Sequence, residues 1–281
     1  MMRRGDTSLV FFTVLSQWSV GIVFCLFLLN LTNGAAPPAI NTGPSPANSL
    51  WLALLLIVAA TTASFLHLGN PLNAPKAVRN LATSWLSREI LAIGLYSAGL
   101  AAALLYGWRT GASYPVFLLA LCAVTGLLLI WTMSRVYRIP TIPAWNSGHT
   151  PLGFVLTALS LGSVTGMLFA GSGAGSRGFS LLAGLLAVGL ALELAASILL
   201  RRRLLEMNAG FNGPEFDGGA WRTLYLVRMI LLILALLAAL LLLASPGSVV
   251  NAWLYAAMGL VLAQETAGRV MFYASYFRVG V

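Results

Sequence analysis

Long apolar windows recur along the chain, and each is closed by glycine, proline, asparagine or basic residues. They run Ser8–Leu31, Leu50–Leu68, Glu89–Tyr106, Pro115–Met133, Pro151–Ala170, Phe179–Leu200, Leu224–Ala244 and Val250–Tyr273. Crossing the hydrocarbon core takes about 20 apolar residues in a helix, and a helix answers its own backbone hydrogen bonds in lipid. The pattern therefore predicts an all-α integral membrane protein. We expect one domain over residues 1–281, a bundle of eight transmembrane helices.

Composition supports this expectation. The 281 residues are 59% hydrophobic and 8% charged, against roughly 25% charged in soluble domains. The first window is too long, and too poor in a small-residue cleavage site, to be expected as a removable signal peptide. Cys25 and Cys122 both fall inside windows. They read as small buried hydrophobes, not as a disulfide or thiolate metal site.

The net charge of +9 does not point to nucleic acid, because the basic residues sit at helix ends. Alternating the connections places fourteen of the sixteen Lys and Arg on one side, and leaves only Arg109 and Arg177 opposite. Insertion bias makes the basic side cytoplasmic, with both termini inside. A basic face can also dock an acidic soluble partner, and that cause of the asymmetry stays open.

The connections differ in character. Thr32–Ser49 holds Pro37, Pro38, Pro44 and Pro46 and no charge. Met207–Trp221, on the basic side, holds Glu215 and Asp217 just after Glu206 and reads as a solvated loop. Trp85, Trp145 and Trp221 cluster on the basic side, where tryptophan is ordinarily an interface anchor. The leucine-rich Met229–Leu243 carries no polar group and is expected to face lipid or to pack as inert scaffold. Gly184 and Gly189 in the sixth window would permit close helix approach.

Only two histidines and seven acidic residues are present, so their placement is informative. His67 closes the second window and Glu89 opens the third, on the same basic side. An imidazole titrates near neutral pH, and carboxylates at membrane depth are scarce and often functional. Together they form a pair able to accept protons from a lipid-soluble donor such as a quinol. A loop carbonyl partner for His67 and a helix-dipole role for Glu89 are the structural alternatives. Arg135, beside Tyr137 at the end of the fourth window, could hold a quinone oxygen, a partner carboxylate or a headgroup. His149, just before Pro151, reads as a loop histidine.

Other polar residues read as structural. Glu193 is expected to pair with an arginine near the basic side. Glu265 and Arg269, four apart on one helix face, read as an internal ion pair. Gln17 should point into the bundle. No nucleophile–base set, phosphate-binding loop or metal-ligand cluster is visible, and two histidines outside mid-helix positions argue against haem. The chain is not expected to catalyse a reaction alone.

Several stretches carry a resemblance. They are Ser64–Pro71 (SFLHLGNP), Ala77–Asn80 (AVRN) and Leu86–Ile90 (LSREI). With them come Phe12–Gln17 plus Gly21, Trp131–Tyr137 through Trp145 to Thr150–Phe154 (TPLGF), and Glu265 with Gly268-Arg269 and Phe272-Tyr273. They occur in order over nearly the whole chain. The chain resembles the DmsC family, the membrane anchor subunits of dimethyl sulfoxide reductase-like molybdoenzymes. The resemblance implies an anchor without haem in the cell membrane. It would oxidise menaquinol beside an iron-sulfur subunit, which feeds a molybdenum catalytic subunit. It implies His67 and Glu89 as quinol-site residues, with Arg135 as a neighbour. It also implies an N-terminus outside, opposite to the basic-residue balance. A polysulfide-reductase-type anchor is the nearest rival. A small-molecule or ion transporter is another, although it would call for broken helices and midplane polar groups.

Overall fold

The computed structural model describes residues 4–33, 46–65, 78–111, 114–170, 177–208, 218–244 and 250–278. Among them the chain forms eight α-helices and one short 3₁₀ turn, Val78–Asn80. The helices are α1 (Arg4–Asn33), α2 (Pro46–Phe65), α3 (Trp85–Thr110), α4 (Val116–Tyr137), α5 (His149–Ala170), α6 (Arg177–Asn208), α7 (Gly219–Ala244) and α8 (Val250–Ala274). Seven of them are long and apolar enough to cross a membrane. The eighth, α8, has the length, but Gln264, Glu265 and Arg269 interrupt its apolar run. It packs against α1, α5 and α7 inside the bundle.

Helix α1 is the central post, touching α2, α4, α5, α6 and α8. Its buried residues include Val14, Ile22 and Val23, and also Thr13, Ser16, Gln17 and Ser19. A helix enclosed by others in lipid can carry such groups only if neighbours answer them. Ser19 donates to the Ala53 carbonyl of α2 at 2.6 Å and lies 2.9 Å from the Tyr96 hydroxyl of α3. Trp18 donates its indole N–H to Thr165 of α5 at 2.8 Å.

The closest helix approach is between α1 and α5, at Gly21 and Gly162. A methyl on Gly21 would run into the Ala158 carbonyl, and one on Gly162 would run into the Gly21 backbone. Gly166, one turn on, leaves room for Leu182 and Cys25. Small residues let backbones meet, and dispersion and close packing then replace the missing hydrophobic drive between helices in lipid. Of the glycines expected to serve this purpose, Gly189 faces Ser160 and Leu159, whereas Gly184 faces open space.

The outer helices expose their apolar faces. On α7, Ile230, Leu234, Leu237 and Leu241 are exposed, while Leu232, Ala235, Ala239 and Leu242 are buried. The leucine-rich segment thus faces lipid on one side and packs on the other. Helix α6 runs 32 residues, well past the predicted Phe179–Leu200. At 1.5 Å per residue it spans roughly 48 Å, more than the ~30 Å core. Its Arg201–Arg203 turn therefore lies at the boundary or beyond.

Gly162→Ala should force α1 and α5 apart, because backbone and not a flexible side chain stands in the way. Overpacking of this kind costs on the order of 3 kcal/mol. Thermal unfolding in detergent should show a clear fall in midpoint, and an unchanged midpoint would refute the close approach.

Candidate functional site

The basic ends of α3, α4 and α8 meet. Ser84 caps α3, its hydroxyl accepting from the Ser87 N–H at 3.2 Å. Arg88 then folds back, donating to the carbonyls of Leu81 and Ala82 at 2.8 and 2.7 Å. Its guanidinium lies 4.1 Å from the Trp85 ring centroid, and that of Arg135 lies 4.7 Å from the same ring. Trp85 thus serves two arginines at the boundary. Arg135 Nε is buried without a hydrogen-bond partner among the described residues.

Glu89, one turn into α3, is buried, with 4% of its surface exposed. Its Oε1 has no hydrogen-bond partner among the described residues. The carboxyl is near enough to Tyr137 of α4 and Tyr273 of α8 to act on both electrostatically. Tyr273 donates to the Tyr137 hydroxyl at 2.7 Å.

Around this pair the aromatic rings interlock. Tyr137 meets Trp145, Phe154 and Phe272 edge-on at centroid distances of 5.6, 5.8 and 5.5 Å. Trp145 stacks on Phe272 at 5.3 Å and donates its indole N–H to the Phe272 carbonyl at 2.7 Å. Expected as a boundary anchor, Trp145 is instead a buried strut that fastens the α4–α5 connection to α8.

Deeper in the bundle a chain of polar contacts crosses five helices. Arg228 of α7 pairs with Glu193 of α6 at 2.5 Å. Gln264 of α8 donates to Glu193 at 3.2 Å and to Glu265 at 2.9 Å. Thr157 of α5 lies 2.6 Å from Glu265 Oε2 and accepts from Arg269 at 3.1 Å. Arg269 also donates to Gln17 of α1 at 2.6 Å, and its guanidinium sits 4.1 Å from the Phe154 ring centroid. Glu193 has the arginine partner expected of it, and Gln17 points inward as expected. Glu265 and Arg269 are linked through Thr157 and not as the direct ion pair their spacing suggests. Gly268 leaves space for Arg228, whose Cζ would be 2.6 Å from any added methyl.

Of the residues singled out by sequence, Glu89 and Arg135 share the α3–α4 corner, together with Tyr137. His67 lies outside the described residues, as do Glu215 and Asp217. His149 is in the first turn of α5 and not in a loop. It is half-buried, its Nδ1 lacks a hydrogen-bond partner among the described residues, and its charged neighbour is Arg203. Tyr273 and Phe272 belong to the same corner, and only their place in the resemblance marked them.

This architecture defines a multi-pass membrane protein with a buried carboxyl, one oxygen of which is unpartnered among the described residues, near one end of the bundle. The model of the DMSO reductase anchor subunit (DmsC) family matches residues 2–275, and the chain belongs to that family. It is 32% identical to an anaerobic dimethyl sulfoxide reductase chain of Haemophilus influenzae over 164 residues, 57% of this protein and 56% of that one. It is 34% identical to the anaerobic dimethyl sulfoxide reductase chain YnfH of Escherichia coli over 163 residues, 56% and 54% of the two proteins. Similarity extends to a sulfite dehydrogenase subunit of Allochromatium vinosum, 34% identical over 132 residues, 42% and 39% of the two proteins. The chain spans about half the length of the first two relatives in these matches.

Arg228→Met strands the Glu193 carboxylate and should cost about 3–5 kcal/mol. Adding Glu193→Gln should recover most of that loss. A double variant no more stable than Arg228→Met alone, by thermal unfolding, would contradict the pairing.

Proposed function

We propose that the chain is the quinol-oxidising membrane anchor of a respiratory molybdoenzyme complex of the dimethyl sulfoxide reductase type. It takes menaquinol from the lipid and hands electrons to an iron-sulfur subunit docked over its basic face. The molybdenum cofactor belongs to the catalytic subunit beyond. One observation carries this reading: Glu89 is buried at the boundary with Oε1 unpartnered among the described residues. A buried acceptor left open is costly, and a ring hydroxyl arriving from the membrane would answer it.

The surrounding residues fit a flat, ring-bearing molecule. Tyr137 closes the inner side of the corner, and the buried Arg135 Nε, unpartnered among the described residues, could hold a ring oxygen. Oxidised quinol supplies two electrons and two protons. His67, two residues past α2 in the sequence, takes the two protons in turn from the ring hydroxyls, Glu89 relays each outward, and both electrons pass to the iron-sulfur subunit. The buried aromatic wall around Tyr137 keeps water from the inner side.

The basic asymmetry supports a cell-membrane location with both termini cytoplasmic. A second reading has support in the similarity to a sulfite dehydrogenase subunit. With a dehydrogenase partner the same corner would run in reverse, and Glu89 and His67 would deliver protons to a ring being reduced.

Glu89→Gln should lower oxidation of a menaquinol analogue by the assembled complex about 100-fold, the scale of a lost general base. Co-purification of the partner subunits should be unaffected. Turnover at the parental rate would remove Glu89 from the site. A C-terminal reporter that fluoresces only in the cytoplasm should light up. A dark fusion, with a periplasm-active reporter working at the same position, would place the basic face outside.

A further inference from the structure

The interior network has one more hydrogen-bond contact than its evident protons can serve. Glu265 is 2% exposed; its oxygens meet the Gln264 amide at Oε1 and the Thr157 hydroxyl at Oε2, with the Glu193 carboxyl within reach and Arg228 behind it. Thr157 has a single proton. The Gly153 carbonyl lies 2.9 Å from that hydroxyl, in the i−4 position that helical threonines commonly serve. Arg269 already donates to the same oxygen. With the threonine proton on Gly153, the 2.6 Å contact between Thr157 and Glu265 requires a proton from Glu265. All three contacts of the hydroxyl are then satisfied, two accepted and one donated.

The cations point the same way. Arg228 is committed to Glu193, while Arg269 reaches Gln17 and Thr157. The two carboxyls share the Gln264 amide, and neighbours at such a distance inside a low-dielectric bundle do not both ionise.

We infer that Glu193 and Glu265 form a buried proton-holding pair, with Glu193 ionised against Arg228 and Glu265 carrying the proton. The charged and polar groups facing the pair are Gln17 from α1, Thr157 from α5, Arg228 from α7, and Gln264 and Arg269 from α8. Glu265, Arg269 and Tyr273 follow at four-residue intervals on one face of α8. This stripe leads from the proton-holding carboxyl to the Tyr273–Tyr137 hydrogen bond beside Glu89. Because Glu265 is neutral, the Arg269 charge is not cancelled by its helix neighbour and stays on Gln17, Thr157 and the faces of Phe154 and Phe272. The bundle thereby carries an internal proton station behind its boundary site.

Infrared spectra of the full chain in lipid, in H₂O and D₂O at neutral pH, should contain a protonated-carboxyl C=O band. Glu265→Gln should remove one component of this absorption, and Glu89→Gln should leave that component in place. Glutamine mimics a protonated carboxyl, so Glu265→Gln should unfold within about 2 °C of the parent, whereas Glu193→Gln should fall by about 10 °C. A parent without that band, or a Glu265→Gln midpoint as low as that of Glu193→Gln, would overturn the inference. Neither readout involves quinol turnover, so this pair and the role proposed for Glu89 fail separately.

Discussion

Arg269 sits 5% exposed among apolar helices, and a guanidinium at that depth must find its partners inside the protein. The bundle answers with Gln17 from its central helix, Thr157 from α5 and the face of Phe154. These partners come from the two helices that meet at Gly21 and Gly162. Close backbone approach and polar satisfaction thus depend on each other. If α1 and α5 separated, Gln17 and Thr157 could not both reach one guanidinium.

The same arrangement connects interior and boundary. Helix α8 carries the network, and it is also the helix whose end supplies Phe272 and Tyr273 to the Glu89 corner. Trp145 ties the α4–α5 connection to that end through the Phe272 carbonyl. Rigid aromatic contacts then hold Tyr137 beside Glu89. The carboxyl lacks a partner among the described residues, in a corner where its neighbours are fastened, and the function proposed for this protein rests on that open acceptor.

Much of this was legible in the sequence. Apolar windows separated by turn residues and basic clusters predict the helices, most of them to within a few residues, because length and hydropathy alone decide what spans a bilayer. Glu89 stood out for the same reason, as a scarce carboxyl at membrane depth. Pairings across helices were less accessible. Spacing on α8 suggested a direct Glu265–Arg269 pair, but Thr157 comes from another helix and intervenes. Gly162 lies in a small-residue run with Ala158 and Gly166 at four-residue spacing, and Gly21 stood out only in the resemblance; that the two face each other depends on a crossing set by the whole packing. Trp145 was misjudged because boundary tryptophans usually face headgroups, and its strut role requires the carbonyl of α8. His67, the partner expected for Glu89, lies outside the described residues, so its place beside the corner rests on its position in sequence.

The account centres on a ring-bearing lipid meeting Glu89 at the basic end of α3. Photo-crosslinking of the assembled complex with an azido-menaquinone analogue, followed by peptide mapping, tests this most directly. The label is expected on the segments around Trp85–Tyr96 and Trp131–Trp145, competed away by unlabelled menaquinone. Competable labelling confined to other helices, such as the lipid-facing side of α7, would contradict it.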